Sequence, residues 1–228
     1  MRCEGLSRVA GTFVQSDGAL EIVTQALGPG SIRGDRYAVN GVVDAGAHAI
    51  VRPQTAARAL GPGLSRSESG WGVGSAGALE LLNEPLVLFD EAAHEAVTIV
   101  DLASTARCVI CEIVVCAERE TAIHMRSLVR SGDRVLAYDA YRLRTQEANH
   151  RVVGSFLACG GRWNASLQSD ADEVVQRAID AAGAPQAALG RPRYGGVFVR
   201  ALGMRAWEMR ELFRELATSL RVIGYVQR

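Results

Sequence analysis

From about Gly11 to Leu143 the chain is a succession of short apolar or β-branched runs, broken by Gly, Asp, Asn or Pro at intervals of roughly 8 to 12 residues. This punctuation restricts the fold more than any other feature, because no run lasts long enough to carry a helical stripe. We place strands near 11–15, 20–25, 36–44, 47–52, 70–74, 78–82, 85–89, 94–102, 106–116, 122–130 and 134–143. Turn residues separate them: Ser16, Asp17 and Gly18; Ala45 and Gly46; Ala76 and Gly77; Ser131, Gly132 and Asp133. Gly46 and Gly77 reach positive φ at little cost, which suits tight hairpins and predicts a largely antiparallel body. The stretch GPGLSRSESG at 61–70 has too little apolar content to pack and reads as a mobile loop.

After Gly161 the period changes from two to 3.6. Asp170 followed by Glu173 resembles a capping box, and Val174, Val175, Ala178, Ile179 and Ala182 then share a helical face that Gly183 and Pro185 close. A second stripe, Met209, Leu212, Phe213, Leu216 and Leu220, predicts a helix from about Met204 to Leu220 that packs on its own domain rather than in a partner's groove. One short strand is expected between the helices, from Val197 to Ala201. The expected division is a β-rich body over 1–160 and a helical region over 161–228 packed on it.

The 228 residues carry 25 basic and 25 acidic side chains, and every basic one is arginine. A neutral chain has no polycationic face for a phosphate backbone, so nucleic acid is not an expected partner. The absence of lysine removes the Walker A lysine, the Schiff-base lysine and the lysine general base. Apolar runs such as Val109 to Cys116 fall well short of the roughly 20 residues of a membrane helix, and MRCEGLSRVAG lacks the apolar segment of a signal peptide. Five cysteines, an odd number without a regular framework, suit reduced thiols. The expectation is a soluble cytoplasmic protein.

Candidate chemistry is sparse. Cys108 and Cys111 form a CxxC, but on a strand they point to opposite faces and cannot converge on one zinc ion. The histidines His48, His94, His124 and His150 show neither HExxH nor HxH spacing. His94 with Glu91 and Glu95 makes at most a loose imidazole and carboxylate group for a borderline divalent ion. GxSxG and SxxK are absent, and the glycine-rich pieces lack the GxGxxG spacing, so they read as turns. Three carboxylates stand out. Asp35 and Glu84 sit at strand entrances, and Glu112 lies inside the apolar run VICEIVV, where it faces either water or a polar cavity.

Four motifs in order give these carboxylates a context: Gly34, Asp35 and Arg36; Pro53, Gln54, Thr55, Ala56 and Ala57; Glu84, Pro85, Leu86, Val87, Leu88 and Phe89; and Glu112, Ile113 and Val114. Together, over roughly residues 28–144, they resemble the urease accessory family UreD, also called UreH. Arg33, Arg58 and Asn83 depart from that family's usual glycine, lysine and proline, and AERE at 117–120 replaces its GR…GE element. The resemblance implies a mainly β (α+β) fold, a superhelical stack of antiparallel β-sheets with two C-terminal α-helices. It implies a non-enzymatic scaffold that, with UreF and the GTPase UreG, docks on apo-urease and helps insert nickel, in heteromers able to pair as dimers. No tightly bound cofactor is expected, only nickel in transit. A family-type internal passage would make Asp35, Glu84 and Glu112 metal-passage candidates, with His48 and His94 as weaker metal candidates. The competing expectation is a stand-alone β-rich ligand-binding domain or enzyme unrelated to urease.

Overall fold

In the computed structural model, which describes residues 2–4, 7–117, 119–145, 151–183 and 186–225, the punctuated runs become two stacked sheets, followed by two helices near the C-terminal end. Pro185, expected to help end the first helix, and His150 lie outside the described residues. The first strands are β1 (Arg2–Glu4), β2 (Ser7–Val14), β3 (Leu20–Ala26), β4 (Arg36–Val43), β5 (His48–Pro53), β6 (Ala57–Ala59), β7 (Gly63–Val73), β8 (Ala78–Leu82), β9 (Leu86–Leu88), β10 (Ala92–Leu102) and β11 (Arg107–Cys116). After them come β12 (Ala122–Ser131), β13 (Arg134–Arg144), β14 (Val152–Gly160), helix α1 (Ala165–Ala181), β15 (Ala187–Gly190), β16 (Gly196–Leu202) and helix α2 (Ala206–Val222). The six-stranded first sheet has the order β1-β4-β7-β10-β12-β13, and the second has the order β15-β16-β14-β11-β8-β5-β3-β2.

The mainly β stack with two helices matches expectation, but the strand direction is corrected. Adjacent β4, β7 and β10 are parallel, as are β3, β5, β8 and β11, while antiparallel pairs are confined to the flanks. The cause is that consecutive strands enter different sheets. Each coil leaves one strand in each layer, so sheet neighbours are equivalent strands of successive coils and run the same way. Val43 pairs with Val73 and Val73 with Leu102, a coil of roughly 30 residues.

The turns at Gly46 and Gly77 therefore join the two sheets instead of closing hairpins. They stack on each other: Gly74 N donates to Val43 O at 2.8 Å, Ala103 N to Val73 O at 2.9 Å, and Ala76 N to Thr105 Oγ1 at 2.8 Å. A Cβ on Gly77 would lie 2.8 Å from the Gly74 carbonyl oxygen, so this turn has no room for a side chain. The Ser16–Gly18 and Ser131–Asp133 turns do close antiparallel hairpins.

Residues 61–70 are not a mobile loop. Most of them belong to β7, which pairs with β4 on one side and β10 on the other. Its serines are compatible with a central strand because the interior beside them is polar. Helix α1 also starts earlier than Asp170: Asn164 is its N-cap and accepts from Leu167 N at 2.8 Å. The strands β14 and β15 were not anticipated. β14 joins β11 to β16, so residues on both sides of Gly161 share one sheet.

Apolar side chains collect in three places. The outer face of the second sheet packs Val109, Cys111, Ile113 and Phe156 against Val175, Met209, Phe213 and Leu216 of the helices. Between the sheets, one cluster contains Trp71, Leu81, Val100, Cys108 and Ile110, and another contains Leu88, Ala96, Val114 and Met125. Ile110 lies in the first inter-sheet cluster and Val114 in the second, with Glu112 between them on the same strand face. Among the described residues, no helix is long and apolar enough to cross a membrane.

Candidate functional site

The interruption of the inter-sheet core at Glu112 opens into a cavity of about 190 Å³, lined among others by Tyr37, Ser67, Ser69, Thr98, Glu84 and Glu112. A liquid water occupies about 30 Å³, so the space accommodates several waters or a partly hydrated ion.

Glu112 is 4 % exposed and pairs with Ser155 of β14 on one side, while on the other it faces the gap between β8, which ends at Leu82 opposite Cys111, and β9, which begins at Leu86 opposite Val114. Its Oε1 accepts from Thr98 Oγ1 at 3.2 Å, and Ser127 Oγ lies 2.9 and 3.0 Å from its two oxygens. Burial pushes its carboxyl above the ordinary value, and the Ser127 and Thr98 hydroxyls pull it partly back. Strand register extends this polar level through both sheets. Thr98 pairs with Ser127 and Ser127 with Asp139 in one sheet, while Glu112 pairs with Ser155 and Ser155 with Arg200 in the other. Arg200 bonds Asp139 at 2.5 Å and lies over the Tyr141 ring at 4.4 Å. Ser155 Oγ, Arg200 Nη1 and Tyr141 Oη are buried without a protein hydrogen-bond partner, so this level is equipped to hold water.

Glu84 also lines the cavity, at the point where β8 has ended and the chain turns towards β9. Its Oε1 bonds Arg214 Nη2 at 2.6 Å and its Oε2 bonds Arg210 Nη1 at 3.3 Å, both arginines belonging to α2. Glu84 and Glu112 thus share one cavity. Asp35 is not among its lining residues: Asp35 Oδ2 accepts from Ile32 N at 2.8 Å and closes the turn before β4.

The histidines are placed apart from this arrangement. His94 is 1 % exposed, with Nδ1 2.8 Å from Ser65 Oγ and Nε2 2.9 Å from Ser67 Oγ. Desolvation lowers its pKa to about 4, against a smaller opposing effect of Glu95. Glu95 alternates to the other strand face and pairs with Arg66 at 2.7 Å, while Glu91 lies outside β10 in a turn at φ 65. The expected imidazole and carboxylate group therefore does not converge. His48 points towards the helices, where Nε2 lies 2.8 Å from the fully buried Glu80, itself paired with Arg221 of α2 at 2.9 Å.

Cys108 lies between the sheets and Cys111 under the helices, as strand alternation requires. Cys108 Sγ is 4.0 Å from Cys159 Sγ, and both thiols are free. Among the described residues, no three His, Cys, Asp or Glu side chains gather into a group that could hold a metal ion. What the site offers is single carboxylates, hydroxyls and one guanidinium, Arg58, around a largely apolar cavity with room for water. The polar residues Ser65, Ser67, Ser127 and Arg200 carry no motif, and only the unusual serine content of 61–70 hinted at a polar interior.

No curated protein matches the sequence. Residues 1–227 match the family described as UreD urease accessory protein, and the chain belongs to that family.

Proposed function

From membership of a urease accessory family, we propose that this chain is a non-catalytic maturation scaffold that acts in the cytoplasm with UreF and UreG to bring nickel to apo-urease. Nickel is cargo in this reading, handed along the inter-sheet cavity by Glu84 and Glu112. The observation that carries it is that two carboxylates far apart in sequence reach the same internal space, one in a buried polar level and one beside the helices.

Weak, incomplete coordination suits transit. A carboxylate with hydroxyl neighbours offers a borderline divalent ion one or two oxygens, enough to replace part of its water shell without trapping it. Glu112 would have to release its proton when the ion arrives, since burial favours the neutral acid. Hydroxyls of Thr98 and Ser127 are placed to steady the charged form.

The test is co-expression of the tagged chain with UreF and the urease subunits, followed by pull-down. Recovery of UreF and urease together supports the scaffold, and recovery of neither overturns it in favour of a stand-alone β-rich binding domain.

A further inference from the structure

Of the lining carboxylates Glu68, Glu84 and Glu112, Glu84 forms ion pairs with the helical layer, through Arg210 and Arg214 of α2. Its side chain is 10 % exposed, against 36 % for Arg210 and 41 % for Arg214. The same two arginines reach outwards to Glu211, which is 56 % exposed: Arg210 Nη2 lies 3.2 Å and Arg214 Nη1 3.7 Å from its Oε1. Under α2 lies a crevice of only about 10 Å³, closed even to a single water in this conformation; it is lined by Leu82, Asn83, Cys111, Arg210, Phe213 and Arg214, and it shares Asn83 and Ile113 with the main cavity. Glu84 and the two guanidiniums thus stand at the junction of the two spaces.

We propose that Arg210 and Arg214 form a side-chain gate on Glu84: paired inwards they close the cavity to a divalent cation, and swung outwards they release Glu84 to bind one. The deduction rests on the delivery reading above and goes beyond it by naming where passage is controlled. Guanidiniums against a carboxylate occupy the oxygens a cation would need and repel the cation itself. The outward alternative is already present in Glu211, so an acidic group presented to this face of α2 would compete for the same arginines. The helix itself need not move, because Met209, Leu212, Phe213, Leu216 and Leu220 remain buried beneath it and Arg221 holds Glu80 further along.

Cys111 reports the state of the gate, since it is buried and lines the small cavity beside both arginines. Alkylation of the isolated chain by iodoacetamide, read cysteine by cysteine by mass spectrometry, is the experiment. In R210Q/R214Q, Cys111 should be modified at least about tenfold faster than in wild type while Cys108 and Cys159 stay protected. E84Q, which removes the inner partner alone, should accelerate Cys111 in the same selective way; R177Q, on the exposed face of α1, should change nothing. Cys111 as slow as wild type in both gate variants, or all buried cysteines accelerating together, would overturn the gate. Nickel content of co-expressed urease separates the two ideas. Selective opening without any change in nickel would leave the gate and sink delivery, and loss of nickel with Cys111 still protected would do the reverse.

Discussion

Ser127 on β12 lies 2.9 and 3.0 Å from the two carboxylate oxygens of Glu112 on β11, so one buried acid joins the two sheets at the level where the core opens into a cavity. The residues on either side along β11 are apolar, which makes the charge state of this acid a matter for stability.

Burial raises the Glu112 pKa above the ordinary 4.5, so the folded chain retains a proton that the unfolded chain releases. Its contribution to stability is full below the unfolded value and is lost as pH rises through the folded one. Glu112→Gln is neutral throughout. Thermal melts should show the variant gaining on wild type as pH rises above the ordinary value of 4.5, with the difference smallest below it. Parallel pH profiles for the two proteins would contradict the assignment.

His94 behaves in the opposite sense. With its folded pKa lowered from 6.5 to about 4, its neutral form supports folding above the unfolded value, and that support declines as pH falls towards the folded one. An NMR titration of its ring should give a midpoint near 4, well below that of an exposed histidine. His94→Ala should cost about 2 to 4 kcal/mol at neutral pH, by leaving a cavity and the Ser65 and Ser67 hydroxyls without their shared partner. A midpoint near 6.5 would mean that the ring is not enclosed between those serines.

Gly154 sets how closely α2 approaches the second sheet. A Cβ there would lie 2.1 Å from Met209 Sδ and 2.8 Å from Phe213 Cε2. Gly154→Ala should destabilise the chain by about 1 to 3 kcal/mol and loosen the helix that carries Arg210 and Arg214. Hydrogen exchange should show faster opening of α2, with β7 and β10 less affected. Unchanged protection of α2 would show that the packing there is not limiting.

Asp35 is a turn residue in this structure. Asp35→Ala removes the bond to Ile32 N and should cost about 0.5 to 1.5 kcal/mol by denaturant unfolding. A loss above that range would point to a larger role than closing the turn.

The strands most legible in the sequence were those whose two faces differ little or alternate cleanly. Ala78–Leu82 is found where it was expected, and the run around Glu112 is a strand whose alternation separates Cys108 from Cys111. The stripe from Met209 to Leu220 was legible for the same reason, since each member is buried on one helix face. Gly63–Val73 was not, because its inward serines belong to a polar interior that exists only once β10 supplies His94. Strand direction was hidden too: a turn containing Gly46 or Gly77 has the same local chemistry whether the next strand returns beside the last or enters the other sheet. Glu112 and Glu84 were visible as odd carboxylates, but the arginines of α2 that hold Glu84 are more than a hundred positions away in the chain.

The central claim is that Glu84 and Glu112 pass nickel along one cavity, and the most direct measurement is nickel per active site in urease co-expressed with each variant of this chain. Glu84→Ala and Glu112→Ala should each lower nickel occupancy several-fold while the variants still co-purify with urease, and Asp35→Ala should leave it near the wild-type level. Wild-type nickel occupancy with Glu84→Ala and Glu112→Ala combined would contradict the account.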